Sequence, residues 1–184
     1  MITPALPRWV AAVLADPSTG VNAFAPLVPR GVTESDPPTV AIYNAVDDAW
    51  VARKHSSDVA TPDEWVLAVR VAEELQLAGA PGAGSLEDSA SVVVELQGVT
   101  IDADNASALA TAYRVMRAVR RSLNTAFVAQ LMEPLTLEGQ LITLPESLQG
   151  FTLDGTPGAG QVSLALVLPF TLTDTWALGA EETL

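Results

Sequence analysis

The segment from Asn105 to Phe127 constrains the fold more than any other part of this sequence. Apolar residues recur there at every third or fourth position, which is the spacing of one face of an α-helix. They are Leu109, Ala112, Met116, Val119, Leu123 and Ala126. Asp104 or Asn105 can accept hydrogen bonds from the first N–H groups of such a helix. The pattern predicts a long helix that packs along one side against a core.

Strand patterns lie on both sides of this helix. Alternating apolar residues predict strands over 39–45 and 64–72, and another from Val92 to Gln97. The closing strand has six apolar positions at strict alternation, which are Val162, Leu164, Leu166, Leu168, Phe170 and Leu172. Pro169 has no N–H to donate, so this strand is expected to be bulged or at a sheet edge there.

Turn signals mark the remaining β-structure. Glu138-Gly139-Gln140 separates two short apolar runs and predicts a hairpin, because glycine supplies the positive φ that the turn needs. Phe151 to Leu153 is a further short apolar run before a glycine- and proline-rich loop that extends to Gly160.

The first third of the chain combines a helix with long irregular segments. Residues 4–16 predict a short helix with Pro7 in its first turn, and Asp16-Pro17 ends it. A proline-rich passage over 17–38 is expected to be extended on the surface, held by Phe24, Leu27 and Val28. Residues 47–63 are predicted to be a long exposed loop or a hairpin tip, and 78–91 a flexible loop, while 73–77 either continue the preceding strand or form a helix.

Together these segments predict one domain over 1–184. Its fold class is α/β of the α+β type, with a mixed, mostly antiparallel sheet backed by one long helix and a short N-terminal helix. A length of 184 residues suits one domain. Because 49% of the residues are hydrophobic and only 17% are charged, the chain is unlike a disordered protein.

The charge balance restricts the partners. With 22 acidic and 9 basic residues, the formal net charge is −13. A surface of this sign repels phosphate, which argues against broad binding to nucleic acid or to an anionic membrane. The apolar runs are much shorter than the roughly 20 residues of a membrane-spanning helix. The sequence therefore predicts a soluble protein without a membrane partner.

No catalytic motif is present. The absence of cysteine excludes disulfides and thiolate metal sites, and it leaves no cysteine nucleophile. His55 is the only histidine, and no G-x-S-x-G sequence supports a triad with Ser56 or Ser57. Asp47/Asp48 and Glu73/Glu74 are adjacent acidic pairs of the kind that chance produces in so acidic a chain.

Two ligand-binding motifs also fail. Asp102 starts a calcium-loop pattern, but Ala106 and Ser107 stand where it requires an acid or amide and a glycine. The glycine-rich runs 79–84 and 155–160 lack the GK[ST] sequence of a phosphate-binding loop. The sequence predicts that the protein is not an enzyme, with no catalytic residue, no cofactor and no metal.

One charged surface suggests a function. Arg114, Arg117 and Arg121 fall opposite the apolar stripe of the long helix, whereas the chain after Arg121 carries seven acidic residues and no basic one. Arginine binds carboxylates well at interfaces. This face is interpreted as a subunit interface; the alternatives are that it is solvated or is paired within its own chain.

The order of the predicted elements also bears on function. Two strands, Thr39-Val-Ala-Ile-Tyr43 and Trp65-Val-Leu-Ala-Val-Arg-Val71, are followed by the helix with Ala112-Tyr113-Arg114 and then by the long closing strand. This pattern resembles the tail terminator, or tail-completion, proteins of long-tailed bacteriophages. The resemblance covers most of the chain but includes no diagnostic motif.

The resemblance implies a structural virion protein. Such a protein forms a hexameric ring that caps the tail tube and joins the tail to the head. Its partners would be further copies of itself, the tail tube protein and the head–tail connector protein, with DNA only in passage. It would be assembled in the host cytoplasm and located in the tail or neck. The alternatives are another head–tail joining or minor tail protein, or a small non-viral binding module.

Overall fold

The computed structural model describes residues 5–26, 39–44, 65–71, 87–99, 105–145, 152–153 and 161–174. The helices in these ranges are α1 (Ala5–Ala15), α2 (Val21–Phe24) and α3 (Asn105–Gln130). The strands are β1 (Val40–Asn44), β2 (Trp65–Val71), β3 (Glu87–Val99), β4 (Leu135–Leu137), β5 (Gln140–Thr143), β6 (Thr152–Leu153) and β7 (Gln161–Asp174).

These strands form one sheet with the order β1-β2-β3-β7-β5-β4, and β6 also pairs with β7. β1 and β2 are parallel, whereas the other described pairs are antiparallel. The centre of the sheet is the β3–β7 ladder, which runs without a bulge from the Glu87–Thr173 pair to the Val99–Gln161 pair. The predicted mixed, mostly antiparallel sheet is confirmed, and so is its α+β class.

The core lies between one face of this sheet and the helices α1 and α3. Leu67, Leu96 and Leu164 are paired across β2, β3 and β7 and are fully buried on that face. α1 packs on β1 and β2, whereas α3 packs on β3 and β7. Between the helices, Trp9 stacks on Phe127 with ring centroids 6.3 Å apart. Burial of each large apolar side chain contributes about 1.5–3 kcal/mol.

One close approach shapes the end of the β2–β3 ladder. Trp65 of β2 is buried and lies directly opposite Gly98 of β3 in the ladder. The indole ring occupies the space in which a Cβ atom on Gly98 would stand. Glycine at this position therefore admits the largest side chain of the core.

α1 ends as predicted, and Asp16 follows it in a tight turn. One oxygen, Oδ1, accepts hydrogen bonds at 2.7–3.0 Å from the backbone N–H and the hydroxyl of both Ser18 and Thr19. These bonds lower the pKa of Asp16 to about 2, and the Ser18 hydroxyl contributes most. Hydrogen bonds to a carboxylate favour its charged form.

The predicted extended passage over 17–38 is wrong for its first part. Residues 17–26 instead form a turn and the single helical turn α2. The chain folds back at Gly20, where a Cβ atom would meet the backbone of Leu14 and Asp16. Phe24 packs against the core, as predicted. Residues 27–38, with Leu27 and Val28, lie outside the described ranges.

The side chain of Asn22 links α2 to the start of β1. Its Nδ2 donates to the carbonyl oxygen of Val40, and its Oδ1 accepts from the N–H of Val40, both at 2.9 Å. A neighbouring strand would bond to a backbone donor and acceptor of this kind. The amide of Asn22 thus occupies both polar groups of the first residue of β1.

The predicted strands over 39–45 and 64–72 are confirmed as β1 and β2. The predicted loop over 78–91 is wrong from residue 87 onward, because β3 begins at Glu87. The extension arises because β7 continues to Asp174 and offers a pairing partner to each residue of 87–91. Residues 73–86 and 45–64 lie outside the described ranges, so the alternatives for 73–77 and the loop over 47–63 are not decided.

Pro169 lies in a part of β7 that pairs on one side only among the described strands. β6 pairs with β7 at Leu164 and Ala165, and β5 pairs with it from Thr171 onward. Between them, β7 has only β3 as a neighbour among the described strands. Pro169 lies in this gap, and the β3–β7 ladder is unbroken beside it. Of the two alternatives, an edge or a bulge, the described strands have an edge at Pro169 and no bulge.

The hairpin after α3 is confirmed. Leu135 to Leu137 pair with Gln140 to Ile142, which leaves a two-residue turn. Both turn residues have positive φ, 49° at Glu138 and 81° at Gly139. This combination is that of a type I′ turn, whose twist matches the flanking strands.

Candidate functional site

The candidate site is the side of α3 that faces away from the sheet. The helix ends at Gln130, three residues beyond the prediction, and its 26 residues span about 39 Å. Of the predicted stripe, Ala112, Met116, Val119 and Leu123 are fully buried, whereas Leu109 and Ala126 are partly buried. The buried arc is wider than this stripe, and its further members are Ala108, Val115, Ala118, Ser122 and Phe127.

The buried arc of α3 is wider because α1 and α2 also cover part of the helix. Ser122 donates its hydroxyl to the backbone oxygen of Val13 in α1 at 3.1 Å. α2 packs against α3 on the same flank. α3 therefore touches the sheet along one flank and the N-terminal helices along another, and only the remaining arc faces outward.

Two of the three predicted interface arginines contact their own chain. The Nε of Arg114 donates to the carbonyl oxygen of Ala25 at 2.9 Å, and Arg114 is half-buried. The guanidinium carbon of Arg121 lies 4.6 Å from the ring centroid of Phe24, which is cation–π distance. Arg114 and Arg121 thus hold α2 against α3. For these two residues, the geometry favours the alternative of pairing within the chain.

Arg117 and its neighbour Arg120 differ from this pair. Both are exposed, and neither makes a hydrogen bond or an ion pair with the described part of the chain. The four arginines of α3 are four of the nine basic residues of the protein, and the helix has no acidic residue. A surface helix without a single carboxylate is unusual in a chain of net charge −13.

A second stripe runs along the exposed arc of α3. Its members follow one another at spacings of three and four residues and are all exposed: Tyr113, Arg117, Arg120, Asn124, Val128 and Leu131, the last just past the helix. We call these six residues the outer stripe. Leu131 is 79% exposed and Val128 57%, and the adjacent Met132 is 85% exposed.

The composition of the outer stripe is typical of a protein–protein contact. Interfaces are enriched in tyrosine, methionine and arginine, and they are depleted of lysine and the acidic residues. Scattered exposed apolar residues are ordinary, but Val128, Leu131 and Met132 are clustered. The outer stripe can bury apolar side chains at one end and bind carboxylates at its middle.

Two exposed carboxylates lie close to the end of this helix in the chain. Glu133 follows Met132, and Glu138 lies in the turn between β4 and β5. Neither makes a hydrogen bond or ion pair with other described residues. The described residues therefore include exposed arginines on α3 and exposed glutamates in the segment that follows it.

The other side of the sheet has its own charged contact. Arg70 of β2 and Glu95 of β3 form an ion pair with Nε and Oε2 3.6 Å apart, and Gln97 donates to Glu95 Oε1 at 2.7 Å. An exposed pair of this kind contributes about 0–1 kcal/mol. Its charges are matched, so it offers no binding site comparable with the outer stripe.

The remaining sequence candidates lie outside the described residues. They are His55 with Ser56 and Ser57, the pairs Asp47/Asp48 and Glu73/Glu74, Asp102, and the runs 79–84 and 155–160. Across the ranges that are described, no three His, Asp or Glu side chains come together as metal ligands would. In the same ranges, no helix has the length and hydrophobicity to cross a membrane.

The interface predicted from the sequence lies on the outward side of α3, but two of its three arginines contact α2. It included Arg114 and Arg121, whose contacts with α2 depend on a helical turn that has no periodic signal. It missed Arg120 and the apolar end of the outer stripe. The spacing of 113, 117, 120, 124, 128 and 131 was the signal that could have found them.

No protein-family model matches this sequence, and no curated protein matches it either.

Proposed function

We propose that this chain is a structural protein of a bacteriophage virion that assembles into a ring, caps the tail tube and joins the tail to the head. The proposed role is mechanical and involves no catalytic turnover or cofactor. Its partners are further copies of the chain in a hexameric ring, the tail tube protein and the head–tail connector protein. DNA passes through the ring without being bound as a substrate, and the protein acts in the tail or neck after assembly in the host cytoplasm.

The outer stripe of α3 is the observation that carries this proposal. A protein that acts by assembly needs a surface built for another protein, and the outer stripe combines arginines with exposed apolar residues. The α+β fold supports the resemblance to tail terminator proteins, because a sheet backed by helices is what that resemblance implies. The strands β1 and β2, the helix α3 and the closing strand β7 follow one another in the order that the resemblance uses.

Electron microscopy and light scattering test the proposal together. The purified chain, at rising concentration, is expected to form closed rings with a central opening and to bind the ends of tail tubes assembled from the tail tube protein of the same phage. Tubes that carry the ring should stop growing when more tube protein is added. A chain that remains monomeric at every concentration and leaves tube growth unchanged would contradict the proposal.

The same experiment separates the alternatives. Another head–tail joining protein would form rings that bind the connector but not the tube end. A small binding module would remain monomeric, and its activity would have to be sought with small-molecule ligands. Capsid, portal and tail tube genes beside the coding sequence would favour either virion role over the binding module.

A further inference from the structure

We infer that the outer stripe of α3 binds the surface around Glu133 and Glu138 of the next copy, with Arg117 and Arg120 on those carboxylates and Val128 and Leu131 buried at the contact. The inference rests on the proposed function, because it names the two surfaces through which copies would meet in a ring. It replaces Arg114 and Arg121 of the predicted interface with Arg120 and the apolar end of the stripe.

The charges argue for a second copy as the occupant. The arginines of the outer stripe require an acidic partner, and all 22 acidic residues of this chain lie outside α3. Subunits of net charge −13 repel one another unless local pairs of opposite charge offset the repulsion. The outer stripe supplies the positive half of such pairs, and the exposed Glu133 and Glu138 supply the negative half.

Among the described residues, Arg120 and Glu133 can pair only between copies. Arg120 precedes the end of α3 by ten residues, which is about 15 Å along the helix axis. Glu133 lies beyond that end, out of reach of an ion pair with Arg120, and the described residues contain no such pair. One surface against a different surface of the next copy is a heterologous contact, which closes into a ring when the rotation fits.

Two-fold stacking of α3 on itself is the competing arrangement. Antiparallel outer stripes would place Tyr113 near Leu131, but they would also bring four arginines into one contact. Their mutual repulsion would be screened by salt, so that arrangement strengthens as ionic strength rises. The heterologous contact includes Glu133 and Glu138, whereas the two-fold contact does not. The effect of reversing these two charges therefore distinguishes the two arrangements.

A charge exchange between two variants tests the inference. The stripe variant carries Arg117→Glu and Arg120→Glu, and the hairpin variant carries Glu133→Arg and Glu138→Arg. Each alone places like charges at every contact, so its dissociation constant should rise at least about tenfold. A mixture of the two restores opposite charges at both contacts and should associate again, as measured by light scattering at about 0.05 M and 0.5 M salt.

The control variant is Ala12→Glu with Ala15→Glu, which adds negative charge at exposed positions of α1. It should associate like wild type, and circular dichroism should show all variants folded. The inference is overturned if the mixture does not associate, if the stripe variant associates like wild type, or if the hairpin variant does. In the second and third cases the wild type still assembles through another contact, and electron microscopy of that assembly decides the ring proposal separately. A wild type that never associates would overturn both.

Discussion

At the scale of single residues, Gly98 is a position with no room for a side chain. The ring of Trp65 fills the place of its missing side chain, and both residues are buried at one end of the β2–β3 ladder. The buried indole covers Gly98 and has little room to move away. The ladder between β2 and β3 therefore requires glycine at this position for a steric reason, and not for its backbone freedom.

We expect Gly98→Ala to lower the free energy of unfolding by about 1–3 kcal/mol, the usual cost of overpacking a core. Urea denaturation followed by tryptophan fluorescence would measure it. Ser91→Ala, on the other face of the same strand, should change stability by less than about 0.5 kcal/mol. The cost of Gly98→Ala should also shrink in a Trp65→Val background. An equal cost in both backgrounds would contradict the steric explanation.

Asp16 is the residue whose charge state matters most for a local turn. Its pKa in the folded chain is about 2, below the ordinary value of 3.8, so the folded state favours the carboxylate. The stability that it contributes is fully present above pH 3.8 and is lost as the pH falls through about 2.

Asp16→Asn should therefore unfold at a lower temperature than wild type at neutral pH, because a neutral amide oxygen accepts the four hydrogen bonds less strongly. Thermal unfolding of both proteins between about pH 6 and pH 2 would show the difference shrinking toward acid. A difference that stays constant over this range would mean that the charge of Asp16 contributes nothing and that only its geometry matters.

At the scale of elements, α2 is held in place by side chains rather than by its own helical tendency. A helix of four residues is too short to be stable alone. Asn22 ties it to β1, and Arg114 and Arg121 tie it to α3. Of the arginines of α3, Arg114 and Arg121 thus contact α2 in the same chain, whereas Arg117 and Arg120 make no such contact.

We expect Arg114→Met to lower stability by about 1 kcal/mol, because it keeps the aliphatic stem but removes the donor to the backbone oxygen of Ala25. Arg117→Met should change stability by less than about 0.5 kcal/mol. Hydrogen exchange should become faster at residues 21–25 in the first variant only. If both variants behave alike, Arg114 does not hold α2.

The elements also show what periodicity can and cannot predict. The stripe of α3 was evident because six apolar positions share one spacing. Burial of Ala118 and Ser122 was not, because it depends on α1 and α2 lying alongside. Glu87 to Ser91 looked like a loop because its residues are polar or small, and only the length of β7 makes it a strand. A local pattern indicates where a segment is apolar or polar, but it does not indicate which other segment packs against it or pairs with it.

At the scale of the whole molecule, strand order was beyond reach of the sequence. Alternation predicted most of the strands, but nothing in it places β7 between β3 and β5 or makes β1 parallel to β2. These pairings join residues far apart in the chain, and they are decided by which arrangement buries the apolar faces together. The candidate site has the same limit, since Arg114 and Arg117 look alike in sequence and differ only in what packs beside them.

The amide of Asn22 on Val40 restricts the addition of a further strand at this edge of the sheet. Backbone pairing between sheets has no natural stopping point, because each added strand offers a new edge to the next, and the product is a fibre. Because the N–H and the carbonyl oxygen of Val40 already bond to Asn22, an added strand could not form its first hydrogen bonds at this end of β1. For the proposed ring, this leaves contacts between side chains, whose fixed angle would set a finite number of subunits.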